Sequence, residues 1–205
     1  MRRQLIAWSL VLLAAPALAK ATFTATWKAP EAANVRLAGK KVVGLVVSED
    51  LNLRMSSEEE LARSLTSKGL KGLAAYTVIP KEEIHDKDRA QAWFQRIEAA
   101  AVVVMRLVDV SKETTPSVVV WSSAPYYSTL DAYYPYAWGA TFNLGGGRTD
   151  ITVAVETLVY DVTTRKMLWA GTSESTNPKD AQALVKSIVD AAADRIKKDG
   201  LAKRP

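Results

Sequence analysis

The sequence contains no cysteine. Structural disulfides, thiolate metal sites, a cysteine nucleophile and a lipid-modified N-terminal cysteine are therefore excluded. It contains one histidine, His85. A serine nucleophile needs a base beside it, and neither Ser122 nor Ser123 stands in a G-x-S-x-G elbow. No Walker or Rossmann pattern follows a predicted strand. GGGRTD near residue 147 precedes a strand and lacks the Lys-Ser/Thr pair of a phosphate cradle, so a hinge or hairpin turn accounts for it better. The loop after the first apolar strand, Glu49 to Arg54, carries acids that would repel phosphate. Strong charge of one sign is also missing: the formal net charge of +5 is mild and gives no nucleic-acid signature.

The N-terminus has the features of an export signal. Arg2 and Arg3 form a short basic region, and Leu5 to Ala15 is an apolar run too short to span a bilayer comfortably. Pro16 breaks it, and Ala17-Leu18-Ala19 is an A-x-A cleavage site. The expectation is a signal peptide over residues 1–19, cleaved after Ala19, and a periplasmic or secreted protein. Residues 20–205 are expected to form one α/β domain with an aromatic insertion at 111–149.

Phe23 and Trp27, with alternating threonines between 22 and 26, fit either a strand or a loosely ordered lead-in that ends at Pro30. Lys40 to Ser48 (KKVVGLVVS) lacks polar alternation, which predicts a central strand covered on both faces. Gly44 within it permits a close approach by a helix or another backbone. Ser56 with Glu59 and Ser57 with Glu60 fit capping boxes that open a helix, with Leu61 and Leu65 on its core side and Gly69 at its end. Glu58 to Glu60 suit a helix start better than a metal or catalytic site. Ala74 to Ile79 is expected to be a second strand. His85 lies among Glu82, Glu83, Asp86 and Asp88; solvated helix caps explain this cluster better than a metal site. Asp86 or Asp88 would cap a helix with Trp93 and Ile97 inward. Ala101 to Val110 is a third strand, and Val118 to Trp121 reads as another. Thr149 to Asp161 and Lys166 to Ser173 form an antiparallel hairpin. Asn177, Pro178 and Asp180 open a final helix with an apolar stripe through Leu184, Val185, Ile188, Val189 and Ala192.

This order predicts an α/β (α+β) fold: a single mixed sheet of about five strands, β-α-β-α-β, a long aromatic loop, then β-β-α, with helices packed on the sheet. Right-handed crossovers place the first central strand between the second and third, and the hairpin extends the sheet beyond the third.

Between Trp121 and Phe142 stand half of the chain's Phe, Trp and Tyr residues, with Asp131 the one charged side chain among them. Tyr126, Tyr127, Tyr133, Tyr134, Tyr136 and Trp138 are the candidate binding surface, since Tyr and Trp bury large areas at little entropic cost. Two readings stay open: the rings fold back and complete the core, or part of the stretch faces a partner.

The leader, the Lys40–Ser48 strand, AAYTVIP, the hairpin VETLVYDVTTRKMLWAGTSEST and the closing NPKDAQALVKSIVDAAADRIKKDGL together resemble exported bacterial envelope proteins and lipoproteins of unknown function. In outline they are similar to the small α/β domains of periplasmic translocation proteins and of lipoprotein activators of cell-wall synthases. Many in that group carry a lipobox cysteine, which this chain lacks. The resemblance implies a non-enzymatic binding or assembly module without a cofactor. Its partner would be an envelope protein or cell-wall glycan, with interfacial membrane contact as a further form of the same idea. The alternative is a small envelope hydrolase drawing on Asp131, Arg148 and Asp150 near a serine or His85. The sequence assigns neither the partner nor the oligomeric state.

Overall fold

In a computed structural model, residues 21–108, 118–139, 152–176 and 180–198 are described. They contain strands β1 (Thr22–Lys28), β2 (Lys41–Val47), β3 (Lys71–Ala74), β4 (Ala101–Val108), β5 (Thr152–Asp161) and β6 (Met167–Thr176). The helices are α1 (Leu51–Ser67), α2 (Ala75–Val78), α3 (Lys87–Arg96), α4 (Val118–Ser123), α5 (Pro125–Ser128), α6 (Leu130–Gly139) and α7 (Ala181–Lys198). The predicted signal peptide, the triple glycine, Arg148 and Asp150, and the predicted cap residues Asn177 and Pro178 lie outside the described residues.

The six strands form one mixed sheet in the order β1-β6-β5-β4-β2-β3. β2 runs parallel to both β3 and β4, while β4-β5, β5-β6 and β6-β1 are antiparallel. The predicted order is therefore present, with β1 added at the far edge. The undecided lead-in is this edge strand, and Phe23 packs edge-on against Trp169, ring centroids 5.5 Å apart.

Strand side chains alternate between faces, and here they divide two cores. Val42, Val103, Met105, Val153, Val155 and Val159 meet α1 and α7. Val43, Leu45, Val102, Val104, Leu158 and Tyr160 meet α3 and the helices of the aromatic stretch. α1 lies flush on β2: a side chain at Gly44 would come within 2.6 Å of Leu61 Cγ, which is why the central strand carries a glycine there.

Three predicted boundaries move, each for a local reason. α1 begins at Leu51 and not at Ser56, because Asp50 Oδ1 accepts the free N–H groups of Asn52 and Leu53 at 2.9 and 3.0 Å. The predicted strand at Ala74–Ile79 is instead the end of β3 followed by α2. Pairing with β2 stops at Gly44–Ala74, after which Ile79 N–H bonds back to Ala75 O at 2.9 Å. Val118–Trp121 is helical within α4, and its β-branched run is overridden by its tertiary setting. Asp86 caps α3 as expected, but the helix buries Ala90, Gln91 and Phe94, leaving Trp93 and Ile97 only partly covered. Asp180 caps α7 through Ala183 N–H at 2.7 Å.

Candidate functional site

The aromatic stretch is predicted to be a long loop. It is helical where described, and it lies on the sheet. Pro125 starts α5 at a position where a missing N–H costs nothing. Thr129 Oγ1 accepts Ala132 N–H at 3.3 Å at the start of α6, and Pro135 stands exposed inside that helix. An antiparallel bridge between Thr129 and Lys166, with Leu130 N–H on Arg165 O at 2.8 Å, ties the segment to the β5–β6 turn. Asp131 is paired with Arg165 at 2.8 Å.

Below this segment two oppositely charged residues face each other across β4 and β5. Arg106 and Glu156 are register partners, 1% and 0% exposed, with Arg106 Nε 3.3 Å from Glu156 Oε2. The aromatic stretch completes their coordination. Tyr133 OH donates to Glu156 Oε2 at 2.7 Å, and Trp121 Nε1–H to Oε1 at 3.3 Å. Arg106 Nη2 donates to Tyr136 OH at 3.3 Å, and its guanidinium lies 5.0 Å from the Tyr136 ring centre. Tyr134 OH donates to Ile84 O at 2.6 Å, and Tyr160 OH to Tyr127 O at 3.0 Å. Burial, reinforced by the Glu156 charge, holds the Tyr127, Tyr133 and Tyr160 phenols well above their ordinary range. Burial raises Tyr134 too.

The predicted display surface is therefore corrected. Tyr127, Tyr133, Tyr134 and Trp138 are buried, and only Tyr126 and Tyr136 keep partial exposure. The physical reason is twofold. This sheet face requires a cover, and Tyr133, Tyr134 and the Trp121 indole find acceptors inside it, whereas the buried Trp138 indole N–H has none.

A cleft of about 430 Å³ opens at the carboxyl end of β2, beside the far end of the same segment. Ser48, Glu49, Leu51, Arg54, Lys81, Glu82 and His85 border it. Trp138 backs it: its ring lies 4.3 Å from the His85 ring and 6.0 Å from the Arg54 guanidinium carbon. The cleft lies between the segment that follows β2 and the segment that follows α2. Here β2 is flanked by β3 on one side and β4 on the other.

Two charged residues of α1 reach inward at this end. Glu58 is fully buried; its Oε1 accepts Val46 N–H at 3.2 Å and its Oε2 accepts Tyr76 N–H at 2.7 Å. Burial pushes its pKa from 4.5 to about 7, against the opposing effect of those two bonds and of Arg54. Arg54 is 5% exposed, and its Nε has no hydrogen-bond partner; the nearest Glu58 oxygen is 3.9 Å away. Glu58 is thus no helix-start residue. The signal was present in the spacing: Arg54, Glu58, Leu61 and Leu65 recur at three and four positions, so the charged pair shares the leucines' buried face.

The acids near His85 are engaged locally. Glu83 accepts Trp93 Nε1–H at 2.6 Å, Asp86 caps α3, and Arg89 is within 3.6 Å of both. Among the described residues no three metal-ligating side chains converge. The hydrolase constellation is not assembled by what is described: Asp131 is paired with Arg165, and Arg148 and Asp150 lie outside the described residues.

No family model matches this sequence, and no curated protein matches it. Among solved structures, the chain is similar to a PelC dodecamer from Paraburkholderia phytofirmans, at 14% identity and a TM-score of 0.49 over 90% of this chain and 99% of that one. A variant PelC dodecamer from the same organism gives 14% and 0.47 over 86% and 96%. The lipoprotein GNA1162 from Neisseria meningitidis gives 17% and 0.40 over 78% and 99%.

Proposed function

We propose that this chain is a non-enzymatic binding or assembly module of the bacterial cell envelope, and that its contact region is the cleft at the carboxyl end of β2 with its lip. The observation that carries this reading is the combination of an open cleft with an apolar margin. Leu51 and Met55, one turn apart on α1, are the large hydrophobic side chains left exposed among the described residues, at 37% and 36%. Leu51 borders the cleft directly. Exposed apolar groups bordered by polar ones are the usual anatomy of a contact patch. The aromatic stretch supports it from behind through Trp138, which packs against His85 and Arg54.

A non-enzymatic role agrees with the chemistry of Glu58. A carboxyl titrating near neutrality is a natural acid–base candidate. Both of its oxygens are committed to backbone amides, and the side chain is sealed from the cleft solvent. The export signal read at residues 1–19 supports a location outside the cytoplasm.

Site-directed photo-crosslinking in cells tests this reading. A photoreactive residue at Met55 is expected to yield a discrete envelope-protein adduct, whereas one at exposed Ser128 yields none. Identical patterns at the two positions would remove the lip as a contact site.

A further inference from the structure

We infer that the cleft binds a peptide α-carboxylate, with Arg54 as the residue that receives it. This rests on the reading of the chain as a binding module and names the chemistry its cleft takes.

Arg54 carries the argument. A guanidinium presents five donors in a fixed planar fork that matches a carboxylate. Burying such a group without acceptors is costly. Yet Arg54 is 5% exposed and its Nε has no acceptor. The carboxylate on its own buried helix face, Glu58, has turned both oxygens to the amides of Val46 and Tyr76 and lies 3.9 Å off. The side chain therefore retains unused donor capacity where it borders an open space of about 430 Å³. Burial also raises the Glu58 pKa, which leaves the Arg54 charge less compensated than a fully ionised carboxylate would.

The rest of the lining selects among anions. Lys81 adds a second cation and His85 a ring held against Trp138. Glu49 and Glu82 stand on the same rim. Two carboxylates oppose a doubly charged phosphate, but they suit an ammonium or a peptide N–H close to a singly charged acid. Leu51 offers apolar surface to a neighbouring side chain. A carboxylate, an adjoining N–H or ammonium and a small apolar side chain are the groups of a peptide's carboxyl end. The volume suits a ligand of one or two residues.

By contrast, the Arg106–Glu156 cluster is filled by its own tyrosines and tryptophan. The hollow between α1, α7 and the sheet holds only about 60 Å³.

NMR titration of the isotope-labelled protein tests the assignment, following the Arg54 Nε–H and Trp138 indole resonances. The probes are alanyl-alanine, its C-terminal amide, its N-acetyl derivative and inorganic phosphate. Alanyl-alanine is expected to shift both resonances saturably, and the amide to bind about tenfold or more weakly, as loss of a charge-assisted bidentate contact requires. Arg54→Gln should abolish binding, and Arg54→Lys should restore part of it. Lys81→Met, at an exposed position, should weaken binding severalfold in a protein of unchanged fold. The N-acetyl probe separates two sources of the same chemistry. Equal binding indicates the C-terminus of a longer chain; weaker binding indicates a short free peptide whose amine meets Glu49 and Glu82. Equal binding of the amide, tighter binding of phosphate, or unaltered binding by a folded Arg54→Gln protein would overturn the proposal. So would failure of every probe to bind, and in that case a crosslink at Met55 would still stand for the broader reading.

Discussion

The two faces of the sheet solve the same problem with different materials. One is covered by α1 and α7 and is mainly aliphatic: Val42, Leu61, Val103, Met105, Leu184 and Ile188 meet there, with Trp169 and Phe23 toward the β1 edge. The other is covered by rings, and an Arg–Glu pair is sealed beneath. Aliphatic contacts are non-directional, so the first face is specified by volume and shape. On the second face every phenol, indole and guanidinium imposes a direction. A buried polar network holds one arrangement firmly only when each member is satisfied. The aromatic stretch is thus the more directional cover, although the Trp138 indole N–H within it has no partner.

That contrast can be broken most sharply at Glu156. Glu156→Ala strands buried Arg106 and removes the acceptor of Tyr133 and Trp121. The expected loss is about 3–5 kcal/mol of unfolding free energy, measured by denaturant titration. A matched probe of the aliphatic face is Leu184→Ala, which leaves a cavity and should cost about 2–4 kcal/mol while keeping the fold intact. An aliphatic truncation more costly than Glu156→Ala would refute the ranking of the two faces.

Tyr133→Phe isolates one directional contact. It keeps the ring and deletes a hydrogen bond to a carboxylate, for an expected loss of about 1.5–3 kcal/mol. A difference near zero would mean that the ring alone covers the face.

Glu58, which bonds to α2 and β2 at the seam of the two covers, gives a pH dependence. Folding raises its pKa from 4.5 to about 7. Its stabilising contribution is therefore fully present below pH 4.5 and is lost as pH rises through about 7. Stability should fall across that window by at most about 1.4 kcal/mol per pH unit from this group. Glu58→Gln should flatten that slope, which denaturation at a series of pH values would show. The smallest effect is expected at the half-exposed Asp131–Arg165 pair. There Arg165→Ala should cost about 0.2–1 kcal/mol, and less in high salt.

Much of the scaffold was legible because its signals are local. The unbroken Val-Val-Gly-Leu-Val-Val run marked β2 as central, and alternation in β5 placed Val153, Val155 and Val159 together on one face. The same alternation put Glu156 opposite them, but nothing local reveals its partners: Arg106, Tyr133 and Trp121 lie far from it in sequence. Aromatic enrichment marked residues 121–138 as special and left their direction open, because a tyrosine suits a contact surface and a satisfied interior equally well. The candidate site was less legible still. The capping boxes at Ser56 and Ser57 point to a helix start five residues late, which puts Arg54 in a loop. Asp50 was the true cap, and extending the helical period back from Leu65 and Leu61 turns Glu58 and Arg54 inward.

The edge pairing of β1 also constrains the order in which this chain can assemble. Thr24 Oγ1 donates to Thr172 O across 148 positions of sequence, and Phe23 rests on Trp169. Parallel pairing of β2 with β3 and β4 can form early, but the sheet's first strand has no neighbour until β6 exists. Closing so long a loop is the slow kind of contact. A chain delivered from its N-terminus thus carries Phe23 and Trp27 in solvent almost to the end of its synthesis or passage. During that interval its first strand stays an unpaired edge, and the β1–β6 seam closes only once β6 is present.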